Sequence, residues 1–103
     1  MTDRTELLAA LETVSSAFTD VRTATAGGER TWTRAGAAIA ILGGDGVELR
    51  IGAAIAAAAV RTPDVSTSAR GADWVVFAPG ELDGHALDRL GAWFAAAHRR
   101  AAG

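Results

Sequence analysis

The side chains that could carry chemistry in this sequence of 103 residues are few in kind: two histidines, twelve carboxylates and ten arginines, with scattered serines and threonines. Lysine, cysteine, tyrosine, asparagine and glutamine are absent, whereas alanine fills 25 positions. Schiff bases, thiolate nucleophiles, disulfides and cysteine-ligated zinc are therefore excluded. What remains is acid-base chemistry at histidine or carboxylate and anion recognition by guanidinium groups.

The two histidines do not predict a metal site. His85 and His98 are thirteen residues apart in one predicted helix, which corresponds to a rise of about 20 Å. One metal ion cannot bridge that distance within a monomer, so we expect neither a metal nor a cofactor. Both histidines are predicted to lie on the solvated side of their helix.

A catalytic triad can be assembled from the sequence only by choosing among separate segments. Ser66 or Ser68 would be the nucleophile, His85 the base and a nearby aspartate the third member. Neither serine lies in a Gly-x-Ser-x-Gly elbow, and nothing else in the sequence indicates an activated nucleophile. We therefore expect no catalytic residues of this kind.

Arginines with an indole among them define the first candidate binding surface. The segments that contain them alternate with a period of two, which predicts strands, and we expect the side chains on one face of a sheet. Such a face could hold an anion or a flat acid, or stack on a base. The alternative is an ordinary solvated face on which arginine stems cover the indole. The residues concerned are Arg22, Trp32, Arg34 and Arg50, with Arg30 nearby.

The polar loop over residues 61–70 is the second candidate site. Loops held on a rigid sheet often bind ligands, and this one has two arginines flanking a carboxylate and several hydroxyl groups. The alternative is that these polar groups only hydrogen-bond the backbone of the loop. The candidate residues are Arg61, Asp64, Ser66, Ser68 and Arg70.

The helices and strands that position these residues can be predicted from apolar periodicity and turn residues. Asp3 and Glu6 form a capping box before an amphipathic helix over 3–16. Four strands with glycine-rich turns follow, then a short alanine-rich helix over 53–61, a strand over 73–78 and a final helix capped by Asp83. The predicted order is α-β-β-β-β-α-β-α. It indicates an α+β fold in one domain, 1–103, with an antiparallel four- to five-stranded sheet and the N- and C-terminal helices packed on one face.

The expected cellular location and the net charge of the chain limit the classes of partner it could bind. The polar start lacks a signal-peptide pattern and no uncharged run approaches the length of a membrane span, so we expect a cytoplasmic protein without membrane contact. The strong alanine and arginine bias suggests a bacterial source with a high GC content. A net charge of −2 and the lack of a basic run argue against nucleic acid as a partner.

Several short patterns carry a family resemblance. They are the Trp32-x-Arg34-x-Gly36 strand leading into Ala37–Ala40, the Val47–Ile51 strand, the loop before Asp73–Val75, and the closing helix that starts near Leu82. Together they resemble the MmcQ/YjbR-like group of small bacterial proteins, and the layout is also similar to a luciferase-associated small domain. The first resemblance implies a cytoplasmic domain without established catalysis, for which a double-wing mode of DNA binding has been proposed.

Three functions follow as hypotheses. The first is a non-enzymatic binding or protein-interaction domain that recognises an unknown protein or small molecule, and that forms a homodimer if the small apolar face of Ala53–Ala59 packs against a second copy. The second is DNA binding of the double-wing type. The third is a small-molecule-binding domain or enzyme that uses His85 and the 61–70 loop.

Overall fold

The computed structural model describes residues 3–101, which form three helices and six strands. Glu6 donates its backbone N–H to the carboxylate of Asp3 over 2.8 Å, so the predicted cap starts the first helix. Ala86 donates in the same way to Asp83 over 2.9 Å at the start of the last helix. The bounds are α1 Arg4–Ser15, β1 Val21–Ala26, β2 Glu29–Arg34, β3 Ala37–Gly43, β4 Gly46–Arg50, α2 Ala53–Ala59, β5 Val65–Thr67, β6 Trp74–Phe77 and α3 Gly84–Ala101.

The strands form one open antiparallel sheet in the order β1-β2-β3-β4-β6-β5. The predicted α+β class, the antiparallel sheet and the helix-strand order are confirmed. The strand count is six rather than four to five, because part of the predicted 61–70 loop forms β5. This strand has only three residues, two of them polar, and it forms because Val65 pairs with Phe77 and Thr67 with Val75.

The core lies between one face of the sheet and the helices. Its largest fully buried side chains are Trp32, Phe77 and Phe94. All three helices contribute, α2 through Ala56 and Ala59 alone. We call this side of the sheet the inner face.

The opposite side, the outer face, carries the residues of alternate parity. Register places Thr31, Ile41, Glu48 and Val76 in one row across β2, β3, β4 and β6. Ile41 is buried although it lies outside the core cluster. Within residues 3–101, no helix is long and apolar enough to cross a membrane.

Candidate functional site

The predicted arginine face is divided between the two sides of the sheet. Arg34 pairs with Val21 and shares the parity of Trp32, whereas Arg22 pairs with Thr33 and lies on the outer face. Trp32 is 0% exposed, so its indole packs in the core and cannot stack on a ligand. The prediction of a single face was wrong, because parity within each strand does not reveal how neighbouring strands are aligned.

Arg34 belongs instead to a cluster that ties the β1–β2 hairpin to α3. Its Nε lies 2.7 Å from Asp20 Oδ2, and its Nη1 donates to the backbone carbonyl of His98 over 2.8 Å. His98 Nε2 lies 2.8 Å from Asp20 Oδ1, and Phe18 stacks on the His98 ring at 4.3 Å between centroids. The hydrogen bond from His98 lowers the pKa of Asp20 below its ordinary value, and the charge of Arg34 acts in the same direction.

Both ring nitrogens of His98 are engaged in this cluster. A neutral ring with its proton on Nε2 donates to Asp20 and presents Nδ1 to Arg34 Nη1 at 3.4 Å. No nitrogen is left to act as a general base, so the arrangement is a structural tie. The prediction that His98 is solvated was wrong: its side chain is 13% exposed. Asp20 lies 78 residues away in sequence, so local spacing carried no indication of the pair.

Two residues of the predicted loop, Ser68 and Arg70, reach the outer face. Arg70 Nε lies 2.7 Å from Glu48 Oε2 and its Nη2 lies 3.4 Å from Glu29 Oε2, while the Ser68 hydroxyl donates to Glu48 Oε1. The guanidinium also lies over the ring of Trp74, 5.7 Å from its centroid. The hydrogen bond to Glu48 raises the pKa of Arg70. Because two carboxylates already face this guanidinium, the arrangement does not present an open anion site.

The other loop residues do not converge with it. Asp64 adopts a φ of 70°, its carbonyl accepts from Ala78 N–H over 2.9 Å, and its carboxylate accepts from Gly80 N–H over 3.4 Å. Asp64 therefore closes the loop against the end of β6. Arg61 and Ser66 are exposed.

His85 is exposed near the start of α3. Within residues 3–101 its side chain forms no hydrogen bond or ion pair, so nothing joins it to Ser66 or Ser68. The described residues also contain no group of three or more His, Cys, Asp or Glu side chains placed to hold a metal ion.

Arg50 lies at the end of β4, next to the start of α2. Its Nη2 is 3.6 Å from Asp73 Oδ2, and Arg100 Nη2 is 2.6 Å from the same oxygen. The backbone carbonyl of Asp73 accepts the N–H of Gly52 over 3.0 Å. One carboxylate thus serves two guanidinium groups, and this end of α2 has an excess of positive charge.

The exposed surface of α2 consists of apolar residues. Ala56 and Ala59 are buried, and the remaining five residues of the helix are exposed and apolar, with Ile55 at 43% exposure. A shallow groove of about 360 Å³ adjoins it, lined on one side by Ala57 and Val60 and on the other by Trp74. We call the five exposed residues together with this groove the α2 face; the residues are Ala53, Ala54, Ile55, Ala57 and Ala58.

These features define the class of molecule: a small α+β domain with an open six-stranded antiparallel sheet, internally paired arginines and one uncharged helical surface. Comparison with protein-family models, with curated proteins and with solved structures found no match.

Proposed function

We propose that this chain is a non-enzymatic protein-interaction domain of the bacterial cytoplasm and that the α2 face is where a partner protein binds. The observation that carries the proposal is the composition of α2, in which every residue is Ala or Ile although five of the seven are exposed. A helix that is apolar all round is normally buried, whereas a helix at a solvated surface has a polar side. A partner protein that covers the helix would remove its exposed apolar side from water.

The charges around the α2 face support a particular kind of partner. At the start of α2, Arg50 and Arg100 share the single carboxylate of Asp73. Just past its end, Arg61 is exposed and forms no ion pair within residues 3–101. A surface that is apolar in the middle and positive at both ends fits a helix with an apolar stripe and carboxylates at its ends.

The same charges oppose the pairing of two α2 faces. An antiparallel pair would bring Arg61 of one copy toward Arg50 and Arg100 of the other, and a parallel pair would bring like ends together. Both arrangements place like charges at the rim of an uncharged contact, which is unfavourable. We therefore assign the α2 face to a different protein and not to the homodimer.

The resemblance to the MmcQ/YjbR-like group fits this proposal as a distant relationship, since that group has no established catalysis. Its double-wing DNA-binding role is the alternative. Five of the ten arginines lie within 4 Å of a carboxylate, which reduces the number of phosphates that the protein could neutralise. DNA binding predicts retention of a duplex on filters at low salt, declining steeply with salt; no retention would eliminate it.

A synthetic helix tests the proposal. The probe is a fluorescein-labelled amphipathic peptide of about 18 residues, with a Leu/Ala stripe and glutamates in both end turns. We expect saturable binding by anisotropy that weakens about tenfold in Ile55→Gln, because burial of one isoleucine is worth about 1.5 kcal/mol or more.

Leu87→Gln is the matched control, since Leu87 has the same 43% exposure on α3. A second peptide with lysines in place of the glutamates should bind less tightly. The proposal is contradicted if the glutamate peptide does not bind, or if Ile55→Gln and Leu87→Gln bind it equally well.

A further inference from the structure

Strand β1 is an edge of the sheet that is open to a further strand. Within residues 3–101 it pairs only with β2, and five of its six residues are exposed. The other edge, β5, has three residues and directly follows Pro63 and Asp64. Short strands with a nearby proline are a common protection against edge pairing. Strand β1 is twice as long and has no such feature.

The hairpin turn shows which backbone groups of β1 point outward. Gly27 and Gly28, at φ of 59° and 82°, form a two-residue loop, so the flanking pair Ala26 and Glu29 exchanges main-chain hydrogen bonds. Alternation directs the N–H and C=O groups of Ala24 toward β2 as well. Those of Thr23 and Thr25 therefore point away from the sheet, where none of the six described strands pairs with them.

The side chains of β1 place few obstacles in the way of another strand. The register with β2 is regular from Val21 to Ala26, without a bulge. The segment from Thr23 to Ala26 contains no charge and no proline. Arg22 is the one charged residue in the strand, and within residues 3–101 it forms no ion pair.

We propose that a second copy of this chain pairs with β1 in antiparallel orientation, forming a homodimer with one continuous sheet. A twofold axis perpendicular to the sheet keeps the helices of both copies on one side. Residues that face each other across the axis must then share parity, and their outward backbone groups must meet. Of the registers that satisfy both conditions, two pair five of the six residues of β1: Thr23 opposite the partner's Thr23, or Ala24 opposite the partner's Ala24.

Charge distinguishes the two registers. With Thr23 on the axis, Arg22 and the partner's Arg22 are diagonal neighbours on the outer face, about 7–8 Å apart. With Ala24 on the axis, four residues separate them along the strand direction, which is about 13 Å. In that register Arg22 lies opposite the partner's Ala26, whose own neighbour in β2 is Glu29. The register centred on Ala24 thus removes this repulsion and brings each Arg22 toward the partner's Glu29, whose carboxylate also lies 3.4 Å from Arg70 of its own chain.

This proposal is independent of the α2 face. The twofold contact uses the β1 edge, while the partner-binding proposal uses α2, which packs against β6 toward the other edge of the sheet. A dimer would present two α2 faces, and loss of either interaction leaves the other measurable. Ile55→Gln should therefore leave the dimer intact.

Light scattering after size exclusion tests the dimer. We expect a concentration-dependent dimer whose dissociation constant rises about tenfold in Arg22→Glu, since both approaches to the partner's Glu29 become repulsions of modest size at a surface. Arg89→Glu on the exposed side of α3 is the control of equal charge change and should not alter it. A strict monomer at several hundred micromolar overturns the proposal, as does an equal effect of the two substitutions.

Disulfide trapping tests the register, because the chain has no cysteine of its own. Ala24→Cys places two thiols in a non-hydrogen-bonded pair with Cα atoms about 4.5 Å apart, within reach of a disulfide. In the same register, position 25 and the partner's position 25 are diagonal neighbours about 8 Å apart. Thr25→Cys therefore places its thiols too far apart for a disulfide. We expect rapid cross-linking of Ala24→Cys only. Cross-linking of Thr25→Cys at the same rate, or of neither variant, overturns the proposed register.

Discussion

Ile55 on α2 and Leu87 on α3 have the same exposed fraction, 43%, yet their surroundings differ. The exposed neighbours of Leu87 on α3 include His85, Asp88 and Arg89, so water meets a mainly polar helix side with one apolar residue on it. The exposed neighbours of Ile55 on α2 are alanines. Single exposed apolar residues are normal at protein surfaces, whereas a continuous apolar patch indicates an interaction site. The comparison shows that the polarity of the surrounding residues, and not the exposed fraction of one side chain, distinguishes a solvated helix from a helix that binds a partner.

The two helices also differ in how the rest of the molecule holds them. Helix α3 inserts Leu90 and Phe94 into the core and is tied to the hairpin through His98. Helix α2 contributes only the two small side chains of Ala56 and Ala59. The stability of the domain should therefore depend on α3, while α2 contributes mainly a surface.

The largest expected effect lies on the buried side of α3. Phe94→Ala removes a side chain that is 0% exposed, and we expect a loss of about 3–5 kcal/mol in the free energy of unfolding. Urea denaturation followed by circular dichroism measures it. A loss below about 1 kcal/mol would contradict the assignment of α3 as the main helical anchor of the core.

A smaller effect should separate the two histidines of α3. His98→Ala removes hydrogen bonds to Asp20 and Arg34 together with the contact to Phe18, and we expect a cost of about 2 kcal/mol. His85→Ala changes an exposed side chain and should stay within about 0.5 kcal/mol. The same urea assay compares them, and equal losses would remove the proposed tie between α3 and the hairpin.

The pH dependence of stability should identify Asp20 as part of that tie. Because its pKa is lower in the folded protein than its ordinary value of 3.8, its ionised form stabilises the folded state at pH values above 3.8. This contribution should be lost as the pH falls below 3.8 through the folded pKa. We expect the difference in unfolding free energy between the parent chain and Asp20→Asn to shrink over that range; a difference independent of pH would contradict this.

The smallest expected effect on stability is the most informative about α2. Ile55→Gln and Leu87→Gln both alter exposed side chains, so each should change the unfolding free energy by no more than about 0.5 kcal/mol. Thermal denaturation of both variants measures this. A loss above about 2 kcal/mol in Ile55→Gln alone would show that Ile55 supports the fold and would weaken its assignment to a partner surface.

The sequence predicted the helix starts at Asp3 and Asp83, the hairpin turns and the α+β class, because caps, turns and periodicity are local properties. It did not predict β5, whose three residues form a strand only through pairing with β6. It placed Arg22 and Arg34 on one face, although the alignment of β1 with β2 separates them.

The side-chain pairs of the candidate site could not be predicted from local sequence patterns either. His98 and Asp20 are 78 residues apart in sequence, and Arg70 and Glu29 are 41 residues apart. The Glu29 carboxylate passes close to Gly43, where an added Cβ would lie 3.5 Å from Oε2. The apolar character of α2 was visible in the sequence, but only the fold reveals that five of its residues remain uncovered.

The most direct test of the central claim is a map of where a helix binds. The ¹⁵N-labelled chain is titrated with the glutamate-flanked peptide, and backbone amide shifts are followed by NMR. We predict shifts confined to residues 52–61 and to the groove beside Trp74, with little change around Leu87. Shifts centred on the outer side of α3 or on the outer face of the sheet, or no shifts at saturating peptide, would contradict the account.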